Sequence, residues 1–485
     1  MAEPRVLFCA SEMTPFAKTG GLADVAGALP PALRRIGADV HCVLPLYGGI
    51  DREAGGIAPV GKGFTVKLDI GRENFTIHRA DREGVPVYLL QCDHLFNRAG
   101  LYGEKNFDYP DNCRRFALFS RACLELADYL GLDPDIVHVH DWQTALIPVY
   151  MRTSARSRAR SLLTIHNLAF QGIFPPGEYH WTGLDWSLFE WRKLEFYGKV
   201  NFLKGGIVYA DAVSTVSPTY AREIRQAELG CGLEGALAEK GDRLVGILNG
   251  IDLRDWNPAT DVHLPARFSA DNLAGKQTCR TALMQEAGLA PTQLPLFGTV
   301  GRLTEQKGLD ILLPALAVLL GEGYPFVVLG TGDAAYEAGL RKLAQLYPGR
   351  LGLFLAFDNR LAHLIEAGCD MFVMPSRFEP CGLNQFYSMR YGTVPIVRAT
   401  GGLADSVGPW TPAGPGAATG FVFSDYTAAA LLGACREAIA IFADNKSAWL
   451  ELMRNGMKLD AGWSRSAQNY LALYRSLLEP GDSMP

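Results

Sequence analysis

The amino-acid sequence predicts a doubly wound α/β protein made of two large domains. Three observations carry this. Short apolar runs recur along the whole chain, with helical patterns between most of them. The runs are continuous rather than alternating, as strands buried on both faces of a parallel sheet require. Glycine-bounded loops follow many of the runs, and 52 of the 485 residues are glycine, against an average usage of roughly 7%. No collagen-like period or low-complexity tract accounts for that excess, so the glycines punctuate loops.

The predicted strands of the first half are Val6–Ala10, Val40–Leu44, Phe64–Ile70, Val85–Leu90, Ile136–Val139, Leu162–Ile165, Ala212–Val216 and Leu244–Leu248. Around Phe64–Leu90 the pattern reads as β-hairpins. Asp252–Ala274 is rich in Pro, Asp and Asn and poor in apolar periodicity, so it reads as a hinge between domains. The second half offers Leu296–Val300, Phe326–Leu329, Leu351–Phe357, Met371–Met374, Pro395–Val397 and Phe421–Phe423. Tyr470, Leu471, Tyr474, Leu477 and Leu478 place one apolar stripe on a helix spanning Trp463–Leu478. At roughly 150 residues per domain the length suggests about three domains. The strand pattern reduces that to two, residues 1–250 and 251–460, with 461–485 as a terminal helix.

Composition excludes several classes. Lys+Arg number 46 and Asp+Glu 51, a net charge of −5, which argues against a general nucleic-acid binder. Met1–Ala10 does not read as a signal peptide, and no apolar stretch approaches the roughly 18 residues of a membrane span. The best candidate, Ile311–Leu320, is short and contains Pro314. The ten cysteines show no C-x-x-C pair and read as small buried hydrophobes. A cytoplasmic protein is expected.

In open α/β sheets ligands bind beyond the carboxyl ends of the strands, so the residues after each strand carry the functional reading. After Val6–Ala10 comes Lys18-Thr-Gly20-Gly21, opening a helix. Helix N-termini attract anions, and glycines permit close approach. After Leu296–Val300, Arg302 and Lys307 bracket a loop bounded by Gly301 and Gly308. A bidentate fork and a point charge together suit a diphosphate. After Met371–Met374, Glu379 precedes Cys381-Gly382-Leu383 at another helix start, a carboxylate placed to hold sugar hydroxyls. Thr400-Gly401-Gly402-Leu-Ala-Asp405 echoes Thr19-Gly-Gly-Leu-Ala-Asp24. His138 and His140 share a strand face. A metal pair there lacks a third ligand, which favours a core His138 and a cleft-facing His140-Asp141. His166 follows the next strand.

Three near matches fail. Gly56–Lys62 resembles a phosphate-binding loop, but Gly63 replaces the required Ser/Thr. Gly330-Thr-Gly332-Asp-Ala-Ala335 fits a dinucleotide fingerprint, but its acidic partner is not clearly placed, since position 350 is Arg. Asp133-Pro-Asp135 precedes its strand and reads as a turn. The residues alone therefore suit sugar transfer from a nucleotide diphosphate, with no obligatory metal.

Seven segments, in order, resemble the signatures of bacterial glycogen synthases and plant starch synthases: Lys18–Val25 with Gly27–Pro30, His140–Trp142, His166–Gly172, Asn249–Asp252, Gly301–Gly308, Pro375–Leu383 and Thr400–Asp405. The resemblance spans nearly the whole chain. It implies the GT-B fold, in which two Rossmann-like doubly wound parallel-sheet domains face a deep cleft. An acceptor-side domain precedes a nucleotide-sugar domain, and the C-terminal helix crosses back to the first. It implies a retaining glycosyltransferase that moves glucose from ADP-glucose to the non-reducing end of an α-1,4-glucan, glycogen or maltodextrin. No metal, cofactor, membrane or nucleic-acid partner is expected. The implied catalytic residues are Glu379, His166, Arg302, Lys307 and Asp141. The implied donor contacts are Lys18, Gly20, Gly21, Asn249, Phe357, Cys381, Gly382, Leu383, Thr400, Gly401 and Gly402. Tyr387 stands where broader GT-B enzymes carry a second Glu. Phe357 stands where many bacterial members carry a Tyr, keeping a ring face for adenine but no hydroxyl.

Overall fold

The computed structural model describes residues 3–68, 71–104, 107–154 and 158–479. The chain forms two compact units, Met1–Gly250 with Trp463–Pro485, and Ile251–Gly462.

The first unit is built on a nine-stranded sheet in the order Leu244–Gly246, Ala212–Thr215, Arg160–Ile165, Ile136–His140, Arg5–Cys9, Asp39–Pro45, Val85–Gln91, Gly71–Arg82 and Ala58–Leu68. The first seven pair in parallel. Their apolar residues are buried on both faces, which is why these strands read as continuous runs. The last two extend the sheet edge as an antiparallel meander with Val85–Gln91. The hairpin reading thus holds, but the hairpins continue the main sheet. Asp69 and Ile70, which end the predicted run Phe64–Ile70, lie outside the described residues.

The helix Trp463–Leu478 belongs to this first unit. It buries Trp463, Ala467, Tyr470, Leu471 and Tyr474 in the unit's core. Its Tyr474 hydroxyl lies 2.8 Å from His138 Nδ1, on a central strand. Ser466 Oγ donates to the Leu248 carbonyl at 2.5 Å.

The second unit has a six-stranded, wholly parallel sheet in the order Leu351–Phe354, Phe326–Leu329, Phe297–Val300, Met371–Met374, Val394–Arg398 and Phe421–Phe423. Numbered within the unit this is 3-2-1-4-5-6, the dinucleotide-fold order, with a switch point between its first and fourth strands. The apolar segment Ile311–Leu320 lies in the helix Leu309–Gly321, which packs in the core. Among the described residues no helix is long and apolar enough to cross a membrane.

The segment Asp252–Ala274, expected as a hinge, lies inside the second unit. The Trp256 ring is stacked between His363 (3.9 Å) and Tyr387 (3.7 Å). Asp261 accepts from Tyr391 Oη at 2.5 Å and pairs with His363 Nδ1 at 2.7 Å. The polar composition of the segment therefore serves buried pairings, which sequence alone does not distinguish from a loose linker.

The near matches have structural explanations. Lys62 lies in the strand Ala58–Leu68. A Cβ on Gly330 would stand 1.8 Å from the Gly301 carbonyl, and one on Gly332 would stand 2.2 Å from that of Leu303. Those glycines let two backbones cross, with no nucleotide required. Asp133 and Asp135 each lie 3.3 Å from Arg5 and close a turn.

Candidate active site

Each sheet has a switch point, and several of the candidate residues follow the strands that flank it. In the second unit the strands flanking it are Phe297–Val300 and Met371–Met374, and their trailing loops carry Arg302, Lys307 and Glu379. In the first unit they are Arg5–Cys9 and Ile136–His140, followed by the Lys18 loop and Asp141.

In the second unit the cation and the carboxylate meet. Lys307 Nζ lies 2.6 Å from Glu379 Oε2, and Ser376 Oγ donates to the same oxygen at 3.0 Å. Glu379 is buried while Lys307 remains a quarter exposed, at 27% of its side chain. The carboxylate therefore anchors an ammonium that still has donors to offer outward. Gly308 is left-handed (φ 76°), and a Cβ there would stand 2.0 Å from the Pro375 carbonyl. This close approach brings the Lys307 turn against the loop bearing Glu379. Arg302 is exposed and bonded to Gln306 at 3.2 Å.

Cys381 and Gly382 form the floor of that loop, where Gln385 Nε2 donates to both carbonyls. Leu383 precedes the helix Asn384–Arg390, and Asn384 Nδ2 ties the loop to the Val300 carbonyl at 2.6 Å. Thr400, Gly401 and Gly402 pack beneath it. The Gly402 amide donates to the Glu379 carbonyl at 3.0 Å. Cβ atoms on Gly401 and Gly402 would stand 1.9 and 2.0 Å from the Glu379 and Cys381 carbonyls. Phe357 is 87% exposed, leaving its ring face open.

In the first unit Lys18 Nζ pairs with Asp24 at 2.6 Å, and Gly20 precedes the helix that Gly21 begins. The amides expected to face an anion are held by the protein itself. Glu12 Oε2 accepts from the Thr19 amide (2.5 Å) and the Gly20 amide (3.1 Å), and Oε1 accepts from the Thr19 and Tyr102 hydroxyls (2.6 and 2.7 Å). Neither Glu12 nor Tyr102 was expected from sequence. Glu12 follows its strand within a few residues, and that was the only local signal. The loop borders a hollow of about 270 Å³ lined also by Tyr47 and Arg98. The Tyr47 hydroxyl is buried there without a partner among the described residues.

Asp141 sits at the end of the strand Ile136–His140 with φ 53°, an uncommon conformation for a non-glycine residue. Its Oδ1 accepts the His166 amide at 2.7 Å. Burial pushes its carboxyl up to about 7 and pushes the His166 imidazole down to about 3. His140, expected to face a cleft, is fully buried instead. Its ring packs against Phe8 and His138, and its Nδ1 lies 3.0 Å from His166 Nε2. A short strand that is buried on both faces leaves no exposed side for it. Asn249 is also buried, with Oδ1 unpartnered among the described residues.

Among the described residues, Glu73, Cys92 and His94 form the one grouping of metal-ligand types. Its groups already satisfy one another, with Arg114 on Glu73, His94 Nε2 3.2 Å from Glu73 and Cys92 Sγ 3.6 Å from His94 Nδ1.

Comparison with known proteins identifies the family. The starch synthase catalytic domain family matches residues 5–239, and the glycosyl transferases group 1 family matches residues 282–446. A glycogen synthase of Anaeromyxobacter sp. (strain Fw109-5) is 49% identical, covering 98% of this chain and 100% of that protein. One from Koribacter versatilis (strain Ellin345) is 48% identical over 99% of each. The catalytic domain of starch synthase IV from Arabidopsis thaliana, bound to ADP and acarbose, superposes with a TM-score of 0.90 at 36% identity, covering 98% of this chain and 100% of that one. Sucrose-phosphate synthase from Thermosynechococcus elongatus shares the fold, with a TM-score of 0.60 at 18% identity. With full-length relatives at this identity and two units each built on a largely parallel sheet, the chain belongs to the glycogen and starch synthase family, with the GT-B fold.

Proposed function

We propose that the protein transfers glucose from ADP-glucose to the non-reducing end of an α-1,4-glucan, with retention, releasing ADP. The observation that carries this is the Lys307–Glu379 pair at the switch point of the second sheet. Lys307 and Arg302 meet the diphosphate. Negative charge grows there as the sugar departs, so cations fixed in advance stabilise the transition state more than the ground state. Glu379 and the backbone of Cys381–Leu383 hold the glucosyl hydroxyls. Phe357 offers a stacking face to adenine, and Thr400–Gly402 hold the floor of the donor loop in place. Lys18 with Gly20 and Gly21, His166, Asp141 and Asn249 are the first unit's share in binding donor and acceptor. Retention without a second nucleophile suits front-face displacement through an oxocarbenium-like ion pair.

The ADP and acarbose bound by the Arabidopsis relative support the choice of donor and acceptor class. Ten free cysteines, nine of them buried, support a reducing, cytoplasmic setting. Incubation with ADP-glucose and glycogen should release ADP and lengthen the glucan chains. UDP-glucose in competition should slow the reaction little. No nucleotide release from either donor would overturn the reading.

A further inference from the structure

Two histidines from neighbouring strands face each other in the first unit. His140 ends the strand Ile136–His140, and His166 follows Arg160–Ile165. Their rings meet through one contact, His140 Nδ1 to His166 Nε2 at 3.0 Å. A hydrogen bond between two imidazoles needs a proton on one nitrogen and a lone pair on the other. Which ring donates is decided by what the remaining nitrogens meet.

His140 Nε2 is buried, against the rings of Phe8 and His138, and has no partner among the described residues. A proton there would be a buried donor with no acceptor, which folded proteins avoid more strictly than an idle lone pair. The His140 proton therefore belongs on Nδ1, pointing at His166. The His140 backbone is fixed as well. Its amide donates to Thr144 Oγ1 at 2.7 Å, and that hydroxyl donates back to the His140 carbonyl at 2.8 Å. Burial keeps both rings neutral. His166 Nδ1 has no hydrogen-bond partner among the described residues, and the His166 ring is only half-buried.

We infer that His140 is a positioning residue: it donates from Nδ1 to His166 Nε2 and so fixes His166 as the tautomer whose Nδ1–H is available to a hydroxyl of the donor sugar. A carboxylate in the place of His140 would also orient the ring, but it would favour the imidazolium. A neutral histidine orients His166 without charging it, so His166 serves as an uncharged donor and not as a base. The inference rests on the reading of His166 as a residue that meets the sugar.

The test separates the two. Two-bond proton–nitrogen spectra of the substrate-free protein, labelled at the histidine ring nitrogens and assigned through His166→Gln, report the tautomer directly. His166 should carry its proton on Nδ1. In His140→Leu it should move toward the Nε2–H form, while His140→Asn, whose amide replaces the Nδ1 donor, should retain the native form. Turnover in His140→Leu should fall about tenfold, within the range seen when an orienting partner is removed. The donor KM should change much less, and Asn should restore most of the rate. An Nε2–H tautomer in the unmodified protein, an unchanged tautomer in His140→Leu, or equal rates in Leu and Asn variants would each overturn the inference. If His140→Leu fails to fold, the spectrum of the unmodified protein still decides the tautomer. Absence of glucosyl transfer by the unmodified protein would instead overturn the proposed reaction and leave the tautomer result standing.

Discussion

The hexapeptide Thr-Gly-Gly-Leu-Ala-Asp occurs at 19–24 and again at 400–405, and the two copies meet different physical demands. In the first, Gly20 is extended and a Cβ there would touch nothing within 4 Å. The loop is held by a carboxylate, Glu12, through the Thr19 and Gly20 amides. In the second, Gly401 is left-handed (φ 44°), and both glycines lie under the backbone of Glu379–Cys381. Gly20 leaves open space beside an occupied backbone. The second pair is a spacer between two main chains. Identical local sequence therefore does not mean identical function, because what surrounds each loop decides it.

The largest effect should come from the side chain that the second loop system anchors. Lys307→Ala should lower kcat/KM about 1,000-fold, the scale of losing a fixed charge at a developing anion. Its melting temperature should also fall, because the buried Glu379 carboxylate is left with the Ser376 hydroxyl and no cation. Steady-state ADP release checks this, and a near-normal rate would remove Lys307 from the chemistry.

The glycines themselves should separate next. Gly402→Ala forces a Cβ against a carbonyl and should destabilise the fold by about 3 kcal/mol, whereas Gly20→Ala should cost under about 1 kcal/mol. Denaturant midpoints measured side by side would break the comparison if the two variants behaved alike.

Removing the carboxylate tests the first loop from the other side. Glu12→Gln leaves buried donors competing for one amide oxygen, a loss of about 1–3 kcal/mol. Hydrogen exchange at Thr19 and Gly20 should quicken at least tenfold, while exchange at Gly401 and Gly402 should stay as it was.

A further test concerns pH. The Asp141 carboxyl is raised from 3.8 to about 7 by burial, so the folded state holds a proton that the unfolded chain has released. Its contribution to stability is present at low pH and is lost as pH rises through about 7. The His166 imidazole is depressed, so its contribution is present above about 6.5 and is lost as pH falls toward 3. The stability difference between the unmodified protein and Asp141→Asn should therefore shrink from pH 5 to pH 8. A difference that is flat or growing would contradict the assignment.

The strands were legible in the sequence because burial on both faces leaves a continuous apolar run, a signal confined to a few residues. The terminal helix Trp463–Leu478 was legible for the same reason, its stripe repeating every three or four residues. The pairings were not. Lys307 meets Glu379 across 72 positions and Tyr102 meets Glu12 across 90, and no local pattern encodes such partners. His140 was expected to face a cleft because it follows a strand beside Asp141, but the packing of Phe8 and His138 around it belongs to the sheet as a whole. Asp252–Ala274 looked like a linker because stacked aromatics and buried polar pairs leave no periodicity.

The reach of Tyr474 to His138 bears on how the chain is made. Synthesis runs from the N-terminus, and domains generally fold as they emerge. The first unit nevertheless needs the helix Trp463–Leu478 to complete the core around Ile136–His140. Some 210 residues of the second unit are translated before that helix appears, so the second unit has its whole sequence first. The nascent first unit must wait with an apolar face uncovered, so it is most dependent on protection from aggregation while the second unit is being translated.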